Sequence, residues 1–177
     1  VARPARAFMA AKQRHTKIIA IKPSVEPDVG LADMWLPVRP GTDAALALAM
    51  LNAVIAENLI DHAFVEKWCY GFNRLKAHVR QYDPQWAEHI SGVPASQIAE
   101  TARRYATTPR AAIDLGNGVE HTPSAGDAIR AIAILMAITG HLDRPGGNIF
   151  SMPPSVAGSY CFQFFKCSSD RKKSMVL

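Results

Sequence analysis

The 177-residue sequence contains only three cysteines, and none of them forms a CxxC pair or a Cys/His spacing typical of zinc sites. So few cysteines in a chain of this length argue against a scaffold built on disulfides. An iron–sulfur cluster needs about four clustered thiolates, so we expect none within these residues. The six histidines form no HExxH motif, which leaves the sequence without that zinc signature.

Long apolar runs are also missing. The longest, Ala44 to Ile55, is interrupted by Asn52 and is shorter than the roughly 20 residues that span a bilayer. Near the first residue, the apolar core that a signal peptide needs is interrupted by basic side chains: Arg3, Arg6, Lys12 and Arg14. We therefore predict no membrane segment in this chain.

The positive charge is confined to the two ends of the sequence. The net charge is +5, but residues 1–22 carry six Lys/Arg and no acidic residue, and residues 166–177 carry a net +3. The interval 23–165 is therefore mildly acidic, at −4. A nucleic-acid-binding protein presents a basic face to the phosphate backbone, so we predict no nucleic-acid partner.

Short apolar runs alternate with helical periodicity along the chain. The isoleucine-rich run Lys17–Ile21 predicts a strand buried on both faces, as in parallel sheets. Met34–Val38, interrupted by Pro37, predicts an edge strand, and Arg110–Leu115 predicts a third strand. Helices are predicted over 5–15, 44–58, 61–70, 72–81, 84–90, 94–107 and 125–139. The second of these is apolar nearly all round and is expected to be deeply buried.

This order predicts an α/β domain of three layers, Rossmann-like, with a mostly parallel sheet and a helical insertion. We place the domain at 1–150 and expect it to be incomplete at its N-terminus, because the sequence already begins inside a helix. Residues 151–177 are expected to form an irregular tail or the start of a next domain. Three tryptophans lie among apolar neighbours and are predicted to pack in the core: Trp35, Trp68 and Trp86.

Ligands of parallel sheets bind at the carboxyl ends of strands, so the loops that follow strands are the candidate sites. After the second predicted strand come Gly41, Thr42 and Asp43. Glycine lets a ligand approach the backbone, Thr42 or Asp43 can cap the following helix, and free amides there attract phosphate. An Asp43 carboxylate can also accept two hydrogen bonds from guanine. A plain turn with a helix cap explains the same residues.

Two further loops have the same position relative to a strand. Gly116 allows contact with a flat ligand, and Glu120 with His121 offers hydrogen bonds to a cofactor or an acid/base pair. Gly116 and Gly118 are not part of a GxGxxG fingerprint, because His121 occupies the third glycine position. An exposed strand-to-helix connection is the alternative.

After the first strand, Lys22 is placed to meet a phosphate and Glu26 a ribose, with Ser24 between them. An ordinary surface loop is equally consistent with these residues.

Five segments together resemble the molybdopterin oxidoreductase family, also called the dimethyl sulfoxide reductase family. The most specific is GLADMWLPVRPGTDAALALAML, from Gly30 to Leu51, which resembles the family's Ala-Asp, strand and Arg-Pro-Gly-Thr-Asp-Ala-Ala-Leu. The others follow in the family's order: Phe64 to Val79, Gly92 to Ala106, Gly116 to Thr122, and Ile138 to Phe150. The fold that this resemblance implies is the formate dehydrogenase/dimethyl sulfoxide reductase domain type.

The resemblance also implies a cofactor and partners. Catalytic subunits of the family hold molybdenum or tungsten between two molybdopterin guanine dinucleotides, and this region is similar to the domain that holds one of them. By position, residues 22–26 and 41–43 would meet guanosine and phosphates, and Gly116 and Glu120 would lie nearer the pterin. The remainder of the catalytic subunit and an iron–sulfur electron-transfer subunit are the implied partners, with an iron–sulfur cluster in the parent protein outside this chain.

Two departures from the family pattern matter. Lys22-Pro23-Ser24 stands where many members have Asp-Pro-Arg, and Glu120 stands where glutamine is common. The family's metal ligand and cluster cysteines lie upstream of the matched region, so we expect the chain alone to be inactive. A non-catalytic scaffold or assembly module of the same ancestry remains the alternative.

Overall fold

The computed structural model describes residues 3–27, 29–149 and 175–176. In these residues it has eight α-helices: α1 Arg3–Gln13, α2 Asp43–Ala56, α3 His62–Trp68, α4 Phe72–Val79, α5 Pro84–Ser91, α6 Ala95–Thr107, α7 Asn117–Glu120 and α8 Ala125–Ile138. Four short strands accompany them: β1 Ile19–Ile21, β2 Met34–Leu36, β3 Cys69–Tyr70 and β4 Met175–Val176. None of the helices in these ranges is long and apolar enough to cross a membrane.

The strands form two parallel pairs. β1 pairs with β2 in a register that sets Ile19 beside Met34 and Ile21 beside Leu36, while β3 pairs with β4. Lys12 and Lys17 both form ion pairs with Asp33, whose carboxylate also accepts a hydrogen bond from the Ile18 amide at the start of β1. These bonds hold the pKa of Asp33 well below its usual range. The prediction of an α/β domain with parallel strands is confirmed.

Helices α2 and α8 form the centre of the core. Both are predominantly apolar, and each has 14 residues. At their first turns the Ser124 hydroxyl donates to the Gly41 carbonyl at 3.3 Å, and beyond their last turns the Asp61 amide donates to the Ile138 carbonyl at 2.8 Å. The two helices therefore run side by side in the same direction. The deep burial predicted for α2 is confirmed, since Leu51 and Val54 are completely buried.

Helices α3 to α6 pack around this pair and correspond to the helical insertion predicted from the sequence. Their ends follow local rules: the carboxylate of Asp61 accepts from the Phe64 amide at the start of α3, and that of Asp83 accepts from the Trp86 amide at the start of α5. Gly92, with φ of +77°, ends α5 in the left-handed conformation that favours glycine.

The third predicted strand does not form in the described part of the chain. Residues 110–115 have no strand partner, and both backbone groups of Ile113 bond instead to the side chain of Asn148, with Ile113 N to Oδ1 at 3.0 Å and Nδ2 to Ile113 O at 2.7 Å. A side-chain amide thus replaces the neighbouring strand. The segment runs without helix or turn, but it is not part of a backbone ladder.

Two burial predictions are also wrong. β1 is not buried on both faces: Ile21 is 39% exposed, because β1 has only β2 beside it among the described residues. Trp68 is 49% exposed, and its ring lies beneath the Lys67 ammonium group, 4.9 Å from the ring centroid. Its apolar surface is thus partly covered by a charged neighbour rather than by the core. Trp86 packs against the core, as predicted. Trp35 is half-buried, so the burial predicted for it is found only in part.

The predicted tail, residues 151–177, lies outside the described residues except for β4. The division of the chain at residue 150 therefore stays a prediction.

Candidate functional site

The carboxyl ends of β1 and β2 meet at one edge of the domain. Lys22, the residue after β1, donates its backbone N–H to the Leu36 carbonyl at 3.1 Å and accepts a hydrogen bond from the Trp35 indole at 2.9 Å. The loop at 22–26 therefore begins where β2 ends. Residues 39–43 leave from the same end of β2, so the first two predicted loops are neighbours.

Lys22 and Glu26 form an ion pair at the surface of this loop. The Lys22 ammonium group lies 2.7 Å from the carboxylate of Glu26, four positions later in the sequence, while Ser24 is exposed. A surface ion pair of this kind contributes only about 0–1 kcal/mol. An incoming phosphate or ribose would therefore displace it at little cost.

The loop before α2 makes a tight turn at Gly41, whose φ of +81° is in the left-handed region. Thr42 lies at the helix N-cap position, but its hydroxyl donates to the Arg39 carbonyl at 2.7 Å and caps no helix amide. The expectation that Thr42 or Asp43 caps α2 is therefore wrong, because no side chain caps the first turn of this helix. Asp43, the first residue of α2, is half-buried, and its carboxylate has no hydrogen bond or ion pair within the described residues.

Arg39 makes a structural contact that no sequence pattern indicates. Its guanidinium donates to the carbonyls of His89 and Ile90 at 2.9 and 3.1 Å, and its backbone N–H donates to Ser91 at 2.9 Å. These carbonyls are at the C-terminal end of α5, where the helix dipole favours a cation. Arg39 thereby fixes α5 beside the loop, and its charge is already neutralised in part.

The third predicted loop comes to the same edge. Besides the bond from Ser124 to Gly41, a Cβ atom added at Gly41 would be 4.0 Å from the Thr122 methyl group. At Gly116 the backbone has an ordinary φ of −84°, and an added Cβ would meet nothing within 4 Å among the described residues; the same space is open at Gly118. The fold itself therefore does not require glycine at either position, which leaves room for a ligand.

Glu120 and His121 complete this loop at the end of α7. Both are exposed, and neither side chain has a hydrogen bond or ion pair in the part of the chain that the structure describes. They do not contact each other as an acid/base pair would. Their position leaves them available to a ligand at the edge.

Two helix N-termini converge between these loops. Neither α2 nor α8 has a side-chain cap at its first turn, because the Thr42 hydroxyl donates to the Arg39 carbonyl and the Ser124 hydroxyl donates to the Gly41 carbonyl. Each helix carries a partial positive charge of about +0.5 at this end. Asp43 and Asp127 lie in the two first turns, and their two full negative charges exceed the partial positive charges of the two helix ends. The arrangement offers free amides to an anion and a carboxylate to a hydrogen-bond donor.

A buried histidine that the sequence did not single out lies at the opposite end of α8. His141 is 98% buried, its Nε2 is 2.9 Å from the Tyr105 carbonyl, and its Nδ1 has no hydrogen-bond partner among the described residues. Burial lowers the pKa of His141 below its ordinary 6.5 and raises the pKa of the adjacent Tyr105 to about 12. Both groups are therefore neutral at pH 7.

We expect the stability of the domain to fall on acidification because of His141. Above about pH 6.5 the imidazole is neutral in both the folded and unfolded chain. Below it the unfolded chain takes up a proton that the folded one excludes, so the free energy of unfolding decreases until the lowered pKa is reached. Thermal unfolding at pH 7.5 and pH 5.5 measures this loss, and His141→Phe should reduce it. An unchanged pH dependence in that variant would contradict the assignment.

Comparison with known proteins identifies relatives that share this region. The family model described as molybdopterin oxidoreductase matches residues 2–164. Acetylene hydratase of Syntrophotalea acetylenica is 40% identical over 146 residues, which cover 82% of this chain and 20% of the relative. The probable oxidoreductase YoaE of Bacillus subtilis is 39% identical over 138 residues, 78% of this chain and 20% of the relative. Dimethyl sulfoxide reductase DmsA of Escherichia coli is 33% identical, covering 89% and 21% respectively.

A solved structure agrees with these matches. Acetylene hydratase from Pelobacter acetylenicus superimposes with a TM-score of 0.75 at 40% identity, over 77% of this chain and 19% of that one. The chain thus spans about a fifth of the length of the relatives it matches.

Proposed function

This chain belongs to the molybdopterin oxidoreductase family, and from that premise we propose that its strand-end edge binds a guanine dinucleotide of the cofactor inside a longer catalytic subunit. The family implies a molybdopterin cofactor with molybdenum or tungsten. The guanine dinucleotide form of that cofactor, and the site for it at this edge, are our proposals.

The convergence of two uncapped helix N-termini with the two loops that follow β1 and β2 and with the Gly116 region is the observation that supports the proposal. Ser124 and Gly41 join the starts of α2 and α8, so their free amides and positive partial charges lie side by side. A dinucleotide carries two negatively charged phosphates, which such amides bind without a basic side chain. An apolar ligand would gain nothing from these groups.

Each predicted residue has a role that suits its surroundings. Asp43, unpaired within the described residues, is proposed to accept hydrogen bonds from the two donors of guanine, and Gly41 and Thr42 are proposed to present backbone groups to phosphate.

The other two loops are proposed to bind the remaining parts of the cofactor. Lys22, Ser24 and Glu26 are proposed to meet guanosine after the ion pair between Lys22 and Glu26 opens. Gly116, beside open space, is proposed to admit the flat pterin end, with Glu120 and His121 at its edge.

When bound, the metal of such a cofactor supplies two-electron redox or oxygen-atom transfer. The residues of this chain bind and orient the cofactor, and we propose none of them as a catalytic acid or base. Because the chain spans about a fifth of its relatives, we propose that it is inactive alone. Its proposed partners are the rest of the catalytic subunit and an iron–sulfur electron-transfer subunit, with an iron–sulfur cluster in the parent protein.

Replacing Asp43 by alanine in the full-length protein tests the proposal. Two hydrogen bonds to a carboxylate are lost, and each contributes about 1.5–3 kcal/mol, so we expect guanine nucleotide and metal in the purified protein to fall at least about tenfold. Asp83→Ala is the matched control, because it removes the cap of α5 and leaves the edge intact. Unchanged nucleotide and metal in the Asp43 variant would show that Asp43 serves only the helix.

A further inference from the structure

Asn148 holds the backbone of Ile113 by two hydrogen bonds in opposite directions. Its Nδ2 donates to the Ile113 carbonyl at 2.7 Å, and its Oδ1 accepts from the Ile113 amide at 3.0 Å. Two residues that face each other in an antiparallel pair exchange the same two bonds. Although the two residues are 35 positions apart, Asn148 therefore gives Ile113 the two backbone bonds that a facing strand residue would give.

The loop that carries Asn148 is itself closed onto α8. The Asn148 amide donates to the His141 carbonyl at 2.8 Å, and the Asp143 amide donates to the Asn148 carbonyl at 2.9 Å. His141 is anchored in turn by its buried ring against Tyr105. The Asn148 side chain thus projects from a backbone that is bonded on both sides, which makes it a rigid anchor.

Ile113 is one of two points that hold the segment 114–121, named here the Gly116 loop. The other is the contact of Thr122 and Ser124 with Gly41. Between these points the chain forms the short helix α7, which packs against α8, while most residues of the loop are exposed. Ile113 therefore holds the end of the loop at which Gly116 lies.

We propose that Asn148 is a positioning residue, which sets the Gly116 loop at the distance from the α2–α8 edge that cofactor binding requires. This inference rests on the proposed function, since the loop is proposed to meet the pterin end. Asn148 itself lies beyond α8 and acts only through Ile113. The inference adds a residue outside the strand-end loops to those that determine cofactor binding.

Only a primary amide of this length satisfies both bonds. Asparagine has one donor and one acceptor group at peptide-like spacing, whereas aspartate is an acceptor alone and alanine is neither. Asn148→Asp keeps the shape and the acceptor for the Ile113 amide. It also sets a charged oxygen against the Ile113 carbonyl oxygen, which reverses one of the two interactions.

The test uses the full-length protein with its cofactor, with Asn148→Ala and Asn148→Asp as variants. Asn52→Ala is the matched control, because the Asn52 amide donates to the Val79 carbonyl at 2.9 Å and is distant in sequence from the loop. Two readouts are needed: deuterium exchange of the amides at 113–121, and guanine nucleotide released by acid from the purified protein. The Asp variant guards against a simple packing defect, since its side chain has the same size as asparagine.

We expect both Asn148 variants to exchange the Ile113 amide and the amides of α7 at least about ten times faster and to retain at most about a tenth of the nucleotide, while Asn52→Ala changes neither. Normal nucleotide in the Asn148 variants, or equal losses in Asn52→Ala, would overturn the positioning role and leave the proposed function standing. Absence of guanine nucleotide from the unchanged protein would instead overturn the proposed function, and this inference with it.

Discussion

Replacement of Gly140 by alanine is expected to lower the free energy of unfolding by about 2–3 kcal/mol. Gly140 follows α8 with φ of +70°, a conformation that costs a residue with a side chain about 1–2 kcal/mol. The added Cβ would also overlap the carboxylate group of Asp61, which caps α3 by accepting from the Phe64 amide. Loss of such a cap costs about 1 kcal/mol more. Chemical denaturation of the chain measures the sum.

The same substitution at Gly126 is the control. Gly126 lies inside the first turns of α8, and an added Cβ there meets nothing within 4 Å among the described residues. Alanine in a helix is favoured over glycine by about 0.5–1 kcal/mol, so Gly126→Ala should stabilise the domain. Glycine-to-alanine changes at the two ends of α8 are thus expected to change the free energy of unfolding in opposite directions. Equal changes in the two variants would contradict the role described for Gly140.

Leu51→Ala is expected to cost about 2–5 kcal/mol, as large-to-small changes do in a core that cannot collapse around the cavity. Leu51 is completely buried on α2, within the main core. Leu48, on the same helix, is only partly buried against that core, so Leu48→Ala should cost clearly less. Thermal or urea unfolding of the two variants gives the comparison, and a larger loss at position 48 would mean that the α2 face is assigned wrongly.

The helices were predictable because their signals are local. An apolar run that begins after Pro40-Gly41 and ends near Asn58 can only be a buried helix, and α2 has nearly those bounds. The caps of α3 and α5 also follow from residues within three positions of each other. Interactions of short range are visible in sequence because both partners are read together.

The errors come from partners that are distant in sequence. Residues 110–115 have the composition of a strand, but Ile113 bonds to a side chain 35 positions later. Thr42 is an exception, because its hydroxyl donates to the Arg39 carbonyl only three residues earlier instead of capping the helix. His141 follows an apolar helix and belongs to no periodic pattern. It is buried because α6, which carries Tyr105, packs beside it.

The proposed site was predictable in outline for a physical reason. The parallel strands β1 and β2 end at the same edge, so the loops that follow them are neighbours, as the bond from Lys22 to Leu36 shows. The third loop reaches this edge through the contact between Gly41 and Ser124, although no strand precedes it in the described residues. What the sequence could not give is how the side chains there are already used: Arg39 is bound to α5 and Lys22 to Glu26. The remaining free groups are largely backbone amides, which no sequence pattern records.

The parallel alignment of α2 and α8 has a kinetic consequence. Helices that point the same way add their fields, whereas an antiparallel pair would cancel them. At this edge, however, the carboxylates of Asp43 and Asp127 stand in the same first turns and outweigh those fields at long range. The free amides therefore act on an anion at hydrogen-bonding distance, and the rate at which a phosphorylated ligand associates should not fall steeply as salt is added.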